Sequence, residues 1–325
     1  MCSLFGILDY KGQLTQAQRL HMVRALGRAA QVRGTDATGI AFFDAGKLHI
    51  QKAPKPACRM KYRIPDTARV IMGHTRMTTQ GSEKKNQNNH PFPGKTVRGQ
   101  FALAHNGVLY NDADLRRRYR LPKSKIETDS YVAAQLLARQ GDVSHKSLKA
   151  MAEDLEGSFT ITVLDDRNSL YFVKGNNPLA VWLFPNLGVY LYSSTEDILK
   201  MAVDRLDLSA ESKAEIPVRQ GDILEIDSAG QRTLSRFDDR RLLYRQYPWG
   251  ELYNWDAVYQ PDRGCEAEAY LDELVDYGLR MGIPETELHL LLDAGYDTFD
   301  LEELLYDPIL RRSCVREIVC DRGVC

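Results

Sequence analysis

Cys2 offers the most chemistry. Removal of Met1, which a small second residue permits, leaves a terminal residue with a thiol and a free α-amine on adjacent atoms. The thiol is the strongest common nucleophile near neutral pH. The α-amine has an ordinary pKa of ~7.7–8.0, so roughly a tenth of it is neutral at pH 7. One residue can then supply both nucleophile and general base. Three further segments set complementary groups after turns or at the ends of apolar runs. Val70-Ile71-Met72 leads into Gly73-His74-Thr75-Arg76-Met77-Thr78-Thr79-Gln80-Gly81, the run from Phe101 to Ala104 leads into His105-Asn106-Gly107, and Glu127-Thr128-Asp129-Ser130 opens a helical stretch. Arg76 can fork onto a carboxylate, Asp129 can hold an ammonium, and Asn106 with the Gly107 N–H can hold an oxyanion. A site for each charge of a free amino acid, beside a nucleophile and an oxyanion hole, suits hydrolysis of a side-chain amide.

Such groups need a rigid scaffold. Leu4-Phe5-Gly6-Ile7-Leu8, closed by Asp9-Tyr10-Lys11-Gly12, predicts a strand and turn that set Cys2 at the strand's start. Thr15 and Gln18 form a capping-box pair ahead of Leu20, Val23, Leu26 and Ala30 at helical spacing. Apolar runs recur at residues 40–43, 70–72, 101–104, 159–164, 171–173, 189–192 and 223–226. Short turns such as Asp165-Asp166-Arg167-Asn168 predict antiparallel hairpins rather than crossover units. A second helix is predicted over residues 128–140, with Val132, Leu136 and Leu137 inward and Gly141 as its stop.

Six blocks in order, Cys2-Ser3-Leu4-Phe5-Gly6-Ile7, Arg33-Gly34-Thr35-Asp36-Ala37-Thr38-Gly39-Ile40, Gly73 to Gly81, Asn89-His90-Pro91-Phe92, His105-Asn106-Gly107 and Thr128-Asp129, resemble class II glutamine amidotransferase domains, which are N-terminal-nucleophile hydrolases. Weaker echoes at 156–159, 193–196 and 216–222 extend the resemblance across about residues 2–237. It implies an α+β fold, a four-layer αββα sandwich of two mainly antiparallel sheets. It implies that Arg76, with Thr79 near it, holds the α-carboxylate of glutamine and Asp129 its α-ammonium. Cys2 would attack the amide carbon, Asn106 Nδ2 and the Gly107 N–H would hold the oxyanion, and water would hydrolyse the γ-glutamyl thioester after ammonia leaves. No metal or dissociable cofactor is required. Ser3 stands where glycine is usual, Met77 where an aromatic is common and Gln80 where some members have histidine. These departures touch the pocket walls. They leave two alternatives open, cleavage of another γ-glutamyl amide by the same fold and a non-catalytic glutamine-binding or regulatory module.

Family members often carry a second domain that consumes the ammonia, and no motif for one follows residue 237. The expectation is a stand-alone amidotransferase subunit that passes ammonia to a separate synthase subunit. The predicted organisation is an amidotransferase domain over 2–237, a connector over 238–262 rich in Tyr, Trp and Arg, and a small acidic three-helix module over 263–325. That module's apolar sets are Leu271/Leu274/Val275/Leu279, Leu288/Leu291/Leu292 and Leu301/Leu304/Leu305/Ile309.

Composition sets outer bounds. The 325 residues are 43% hydrophobic and 27% charged with net charge −1, so no overall field draws the chain to nucleic acid or membrane. That neutrality hides fourteen acidic against two basic residues over 262–308, with a basic remainder. No run approaches the ~18 apolar residues of a membrane helix, and the first residues carry no secretory leader pattern. Six cysteines without a CxxC pair predict free thiols in a cytoplasmic setting and no metal site. Arg116, Arg117, Arg118, Arg120, Lys123 and Lys125 read as a solvated basic loop, because only Tyr119 could stack on a base. His74, His90 and His105 read as loop-fixing hydrogen bonders, and Arg33 with Asp36 as a structural pair bracing the nucleophile strand.

Overall fold

The computed structural model describes residues 2–240 and 242 and, further along, 275–276, 278–294, 301, 304–305 and 308–321. The chain divides into two compact units, Met1–Gln246 and Tyr247–Cys325.

The first unit is built around β1 (Ser3–Asp9), which is buried along its whole length. Successive side chains of a strand point to opposite faces. Phe5 and Ile7 therefore enter one core while Leu4 and Leu8 enter another. A strand apolar on both faces must lie inside a layered structure. β1 is central in a seven-stranded sheet ordered β11 (Ala214–Glu215), β9 (Ala180–Phe184), β10 (Val189–Ser193), β1, β4 (Val70–Arg76), β2 (Ala37–Asp44) and β3 (Lys47–Ala53). A six-stranded sheet is ordered β13 (Arg232–Arg236), β12 (Asp222–Ile226), β8 (Leu170–Lys174), β7 (Gly157–Asp165), β6 (Gln100–Leu109) and β5 (Phe92–Lys95). Every pairing is antiparallel. The 165–168 turn joins β7 to β8 with Asn168 at φ 60°, a conformation asparagine tolerates.

The capping box at Thr15 and Gln18 opens α1 (Gln16–Ala30). With α5 (Glu196–Arg205), α1 covers the outer face of the seven-stranded sheet, where Val23, Leu26 and Leu199 join Phe5, Ile7 and Ile71. The six-stranded sheet is covered by α2 (Asp112–Arg118), α3 (Tyr131–Ala138) and α4 (His145–Asp154), through Leu115, Leu137 and Met151 on Leu103, Ile161 and Tyr171. Between the sheets Leu4, Leu8 and Met72 meet Ala104, Leu164 and Phe172. Each fully buried side chain of this size stabilises the fold by ~1.5–3 kcal/mol. The result is the expected four-layer αββα sandwich.

The register positions the site. Ser3 pairs with Thr75 and Leu4 with His74, so the start of β1 lies beside the end of β4. Glycines make the layers fit. A Cβ on Gly73 would stand 2.4 Å from the Phe5 ring, and one on Gly6 2.3 Å from Ile71 O and 2.6 Å from the Tyr192 ring.

Three readings need correction. The basic stretch at Arg116, Arg117 and Arg118 is helix α2, not a loop; its side chains pair with Asp112 at 3.5 Å, with Asp114, and with Asp154 at 3.6 Å. The helix placed at 128–140 starts at Tyr131, because Asp129 and Ser130 turn their side chains to hydrogen-bond partners outside it. Helices α4 and α5 were not foreseen, although Ser144 and Thr195 cap them by accepting from Ser147 N and Ile198 N.

In the second unit, α6 (Glu285–Asp293) and α7 (Pro308–Asp321) are described. Ile283, Leu288, Leu291, Leu301, Leu304 and Leu305 form its core. Arg311 Nε donates to Glu287 Oε1 at 2.8 Å and Arg311 Nη1 to Leu304 O at 3.0 Å. α7 was not isolated as a helix from sequence. The connector beyond residue 242, Leu271, Leu274, Cys265, Cys325 and the side chains of Ile309 and Cys320 lie outside the described residues.

Gly6→Ala should destabilise the first unit by ~1–3 kcal/mol through overpacking. Gly141→Ala, where a Cβ meets nothing within 4 Å, should stay within ~0.5 kcal/mol. Urea midpoints of the two variants check both.

Candidate active site

The start of β1 is held by three hydrogen bonds. Ser194, just past β10, accepts the Leu4 N–H on its Oγ at 2.8 Å and donates its own N–H to Leu4 O at 3.0 Å. Arg33 Nε donates to the Cys2 carbonyl at 3.1 Å. The half-buried Cys2 Sγ lies 3.5 Å from Met77 O. Burial pushes the thiol above its ordinary pKa; the Arg76 cation opposes that rise and the Asp129 carboxylate adds to it. A thiol held protonated in this way needs a base within reach before it can act.

Ser194 Oγ also accepts from Asn106 Nδ2 at 3.2 Å. One hydroxyl oxygen thus ties β1 of one sheet, whose start is Cys2's neighbour Ser3, to β6 of the other. The Asn106 carbonyl accepts from Asn177 Nδ2 at 2.8 Å. A trans peptide points its C=O and N–H in opposite directions, so the Gly107 N–H faces away from Asn177. Gly107 sits at φ 142°, and a Cβ there would stand 1.9 Å from Ser158 O. Only glycine fits. β5 pairs with Gln100–Leu103 and no further, leaving the distal edge of β6 open on that side among the described residues. On that stretch the Leu109 N–H donates to Asp129 Oδ2 at 2.6 Å.

Arg76 is buried at the end of β4. Its guanidinium donates to Asn89 Oδ1 at 2.7 Å, Gln80 O at 2.6 Å and Gly81 O at 2.9 Å. A guanidinium has five N–H groups, so two are left without a partner among the described residues. Asp36 Oδ2 accepts the Thr78 N–H at 2.7 Å and shapes the same loop. Arg33 and Asp36 therefore brace two different features, the Cys2 carbonyl and the loop after Arg76. Thr79 and Gln80 are exposed in that loop, and Met77 is 51% exposed.

Behind the charged groups lies a stack of imidazoles. His74 Nε2 donates to His105 O at 3.0 Å, and His105 Nδ1 lies 2.8 Å from Ser130 Oγ, which reaches Asp129 Oδ1 at 3.4 Å. The His90 ring packs 4.2 Å from His74 and 4.3 Å from Phe92. Neither His90 nitrogen has a hydrogen-bond partner among the described residues. His90 thus acts by ring packing, where the sequence suggested a hydrogen bonder. Burial lowers all three, His74 to about 3 and His90 well below its ordinary value, while the Asp129 charge partly offsets the drop at His105. They are neutral spacers at physiological pH. Lys52, whose ammonium donates to Asn89 O at 2.5 Å, is held down to about 8 by burial and by Arg76.

Cys2 before β1, Arg76 at the end of β4, Asn106 and Gly107 in the distal part of β6 and Asp129 in the turn before α3 are thus brought together, and Thr79 is exposed in the loop after Arg76. Ser194, Asn177, Asn89 and Lys52 were missed as site residues. Only Ser194 and Asn89 lay in stretches the resemblance had touched.

The histidine stack carries a pH signature. Below an ordinary imidazole pKa of 6.5 the unfolded chain takes up protons that folded His74 refuses until about pH 3. The unfolded state then binds more protons, so stability is full above pH 6.5 and is lost as pH falls toward 3. His74→Gln, which keeps a donor for His105 O, should flatten the slope of unfolding free energy between about pH 6 and 4 by about one proton, read from urea titrations.

A family model described as glutamine amidotransferase domain matches residues 74–200. Glutamine–fructose-6-phosphate aminotransferase (isomerizing) of Geobacillus kaustophilus is 30% identical over 198 residues, covering 56% of this chain and 30% of that protein. Its counterpart in Staphylococcus epidermidis is 26% identical over 286 residues, covering 81% of this chain and 46% of that protein. The chain therefore spans less than half the length of these curated relatives. In fold, it is similar to the glutamine phosphoribosylpyrophosphate amidotransferase of B. subtilis, solved with ADP and GMP, with TM-score 0.58, 21% identity and coverage of 73% of this chain and 49% of that one. With the ordered motifs and the sandwich, these likenesses lead to one assignment: residues 74–200 match a glutamine amidotransferase domain, in a chain similar to the class II enzymes that carry one.

Proposed function

We propose that this chain hydrolyses the side-chain amide of glutamine to glutamate and ammonia, with Cys2 as nucleophile. The observation that carries the reading is a half-buried thiol at a strand end under the opposed influence of a buried guanidinium and a buried carboxylate. Arg76 takes the α-carboxylate with its two remaining N–H groups. Asp129 takes the α-ammonium. With Met1 removed, the Cys2 α-amine accepts the thiol proton and the thiolate attacks the amide carbon. The oxyanion is met by Asn106 Nδ2, whose second hydrogen is not committed to Ser194, and by the Gly107 N–H. The tetrahedral intermediate collapses as the ammonium of Cys2 returns a proton to the departing nitrogen. Water then cleaves the thioester.

The ammonia is delivered to a synthase, and the chain works as a separate amidotransferase subunit in the cytoplasm. The acidic stretch over 262–308 is the segment proposed to recruit that partner. A second reading, hydrolysis of a different γ-glutamyl amide, is favoured by the exposure of Met77 and Gln80 at the rim. A panel of γ-glutamyl amides assayed for released amine separates the two.

Intact-mass analysis before and after diazo-oxo-norleucine tests the central claim; a labelled Cys2 without Met1 is expected, and full ammonia release from protein retaining Met1 would sink it. Cys2→Ala should abolish ammonia release. Asn106→Ala should raise the barrier by ~3–4 kcal/mol with a smaller effect on KM. Asp129→Ala should chiefly raise KM for glutamine and spare substrates lacking a free α-amine. Deleting 263–325 should leave glutaminase turnover and remove co-purification of the partner.

A further inference from the structure

A cavity of about 700 Å³ opens where edge strand β3, the β5–β6 hairpin and the flank of α3 converge. That is within the ~300–1,000 Å³ range of small-molecule sites. It shares no lining residue with the glutamine site. Leu48 and Ile50 from one sheet and Tyr131 and Ala134 from α3 give it an apolar floor. Its rim is of one sign. Lys95 ends β5, Lys123 lies in the loop before α3 and Arg139 just follows it, and no carboxylate among the described residues lines the cavity.

These cations are uncompensated. Some exposed lysines elsewhere are paired, as Lys85 with Glu127 and Lys200 with Glu196 at 3.1 Å, though a lone surface lysine is ordinary; what is particular here is three cations around one concavity. Lys95 and Lys123 have no ion pair among the described residues. Arg139 donates to Tyr119 O at 2.8 Å and lies over the Tyr119 ring, with other N–H groups unspent. The Asp166 carboxylate accepts the Gln100 N–H at 3.2 Å but does not line the cavity. Three like charges drawn from three chain segments onto one concavity repel one another unless an anion joins them. A flat protein partner would not need an apolar floor recessed beneath them, and a bare inorganic ion would not fill it.

We propose that this cavity binds a compact organic anion, a phosphate or carboxylate head held by Lys95, Lys123 and Arg139 on a ring-sized apolar body seated over Leu48, Ile50 and Tyr131. The test uses the full chain and three probes: 1-naphthyl phosphate, which has both parts, 1-naphthol, which lacks the charge, and inorganic phosphate, which lacks the body. Calorimetry should give saturable one-to-one binding of naphthyl phosphate with Kd below about 1 mM, and each comparator should bind at least about tenfold more weakly. The double variant Lys95→Glu with Lys123→Glu, both on exposed positions, should lose at least about tenfold in naphthyl phosphate affinity with its thermal midpoint and ammonia release unchanged. Absence of saturable binding, a comparator that binds as tightly, or affinity indifferent to the charge reversal would each overturn the proposal. Carboxylate and phosphate sources are told apart by 1-naphthoate in the same titration.

Discussion

The candidate site of this molecule depends on one hydroxyl oxygen. Ser194 Oγ receives the Leu4 N–H from the strand that follows the proposed nucleophile and Asn106 Nδ2 from the strand proposed to stabilise the oxyanion. Those strands belong to different sheets. Apolar packing holds the layers together but is non-directional; it cannot by itself set two strand ends to within a few tenths of an ångström. A buried oxygen with both acceptor sites filled can, because leaving either donor unsatisfied costs ~1–3 kcal/mol. The serine is the joint at which the sandwich becomes a site.

Around that joint, charge is admitted only where a ligand could use it. Arg76 and Asp129 are buried, yet each is anchored by backbone or amide groups with hydrogen-bonding capacity to spare. Behind them the three histidines, which could have placed more positive charge beside Arg76, are kept neutral by burial. A cation there would oppose binding of an α-ammonium at Asp129. Hydrogen bonding from His105 through Ser130 to Asp129 orients that carboxylate without altering the local charge.

Much of this was legible before any coordinates. The short apolar run at 4–8, the capping box at Thr15 and the turn at 165–168 are local signals, and they correspond to β1, α1 and the β7–β8 hairpin. What escaped notice was weakly patterned or weakly hydrophobic. Edge strand β3 is Lys-Leu-His-Ile-Gln-Lys-Ala and mostly half-buried, so it shows little contrast between its faces. The basic run at 116–118 looked like loop because its compensating acids are spread over Asp112, Asp114 and distant Asp154.

Sequence alone determined the residue types with reactive groups and the short elements nearest them, because side-chain chemistry and hydrophobic period are properties of short stretches; the layered architecture was implied by the resemblance that the ordered blocks carry. Tertiary structure alone decided which of those groups meet. Ser194 lies 88 residues from Asn106 and 190 from Leu4, and Asn177 lies 71 from Asn106. Such contacts arise from the registers of two sheets stacked face to face, and no local pattern encodes a register shared between sheets. The same holds for His90, whose neutrality comes from its surroundings, and for the cavity beside α3, whose three cations come from three separate segments.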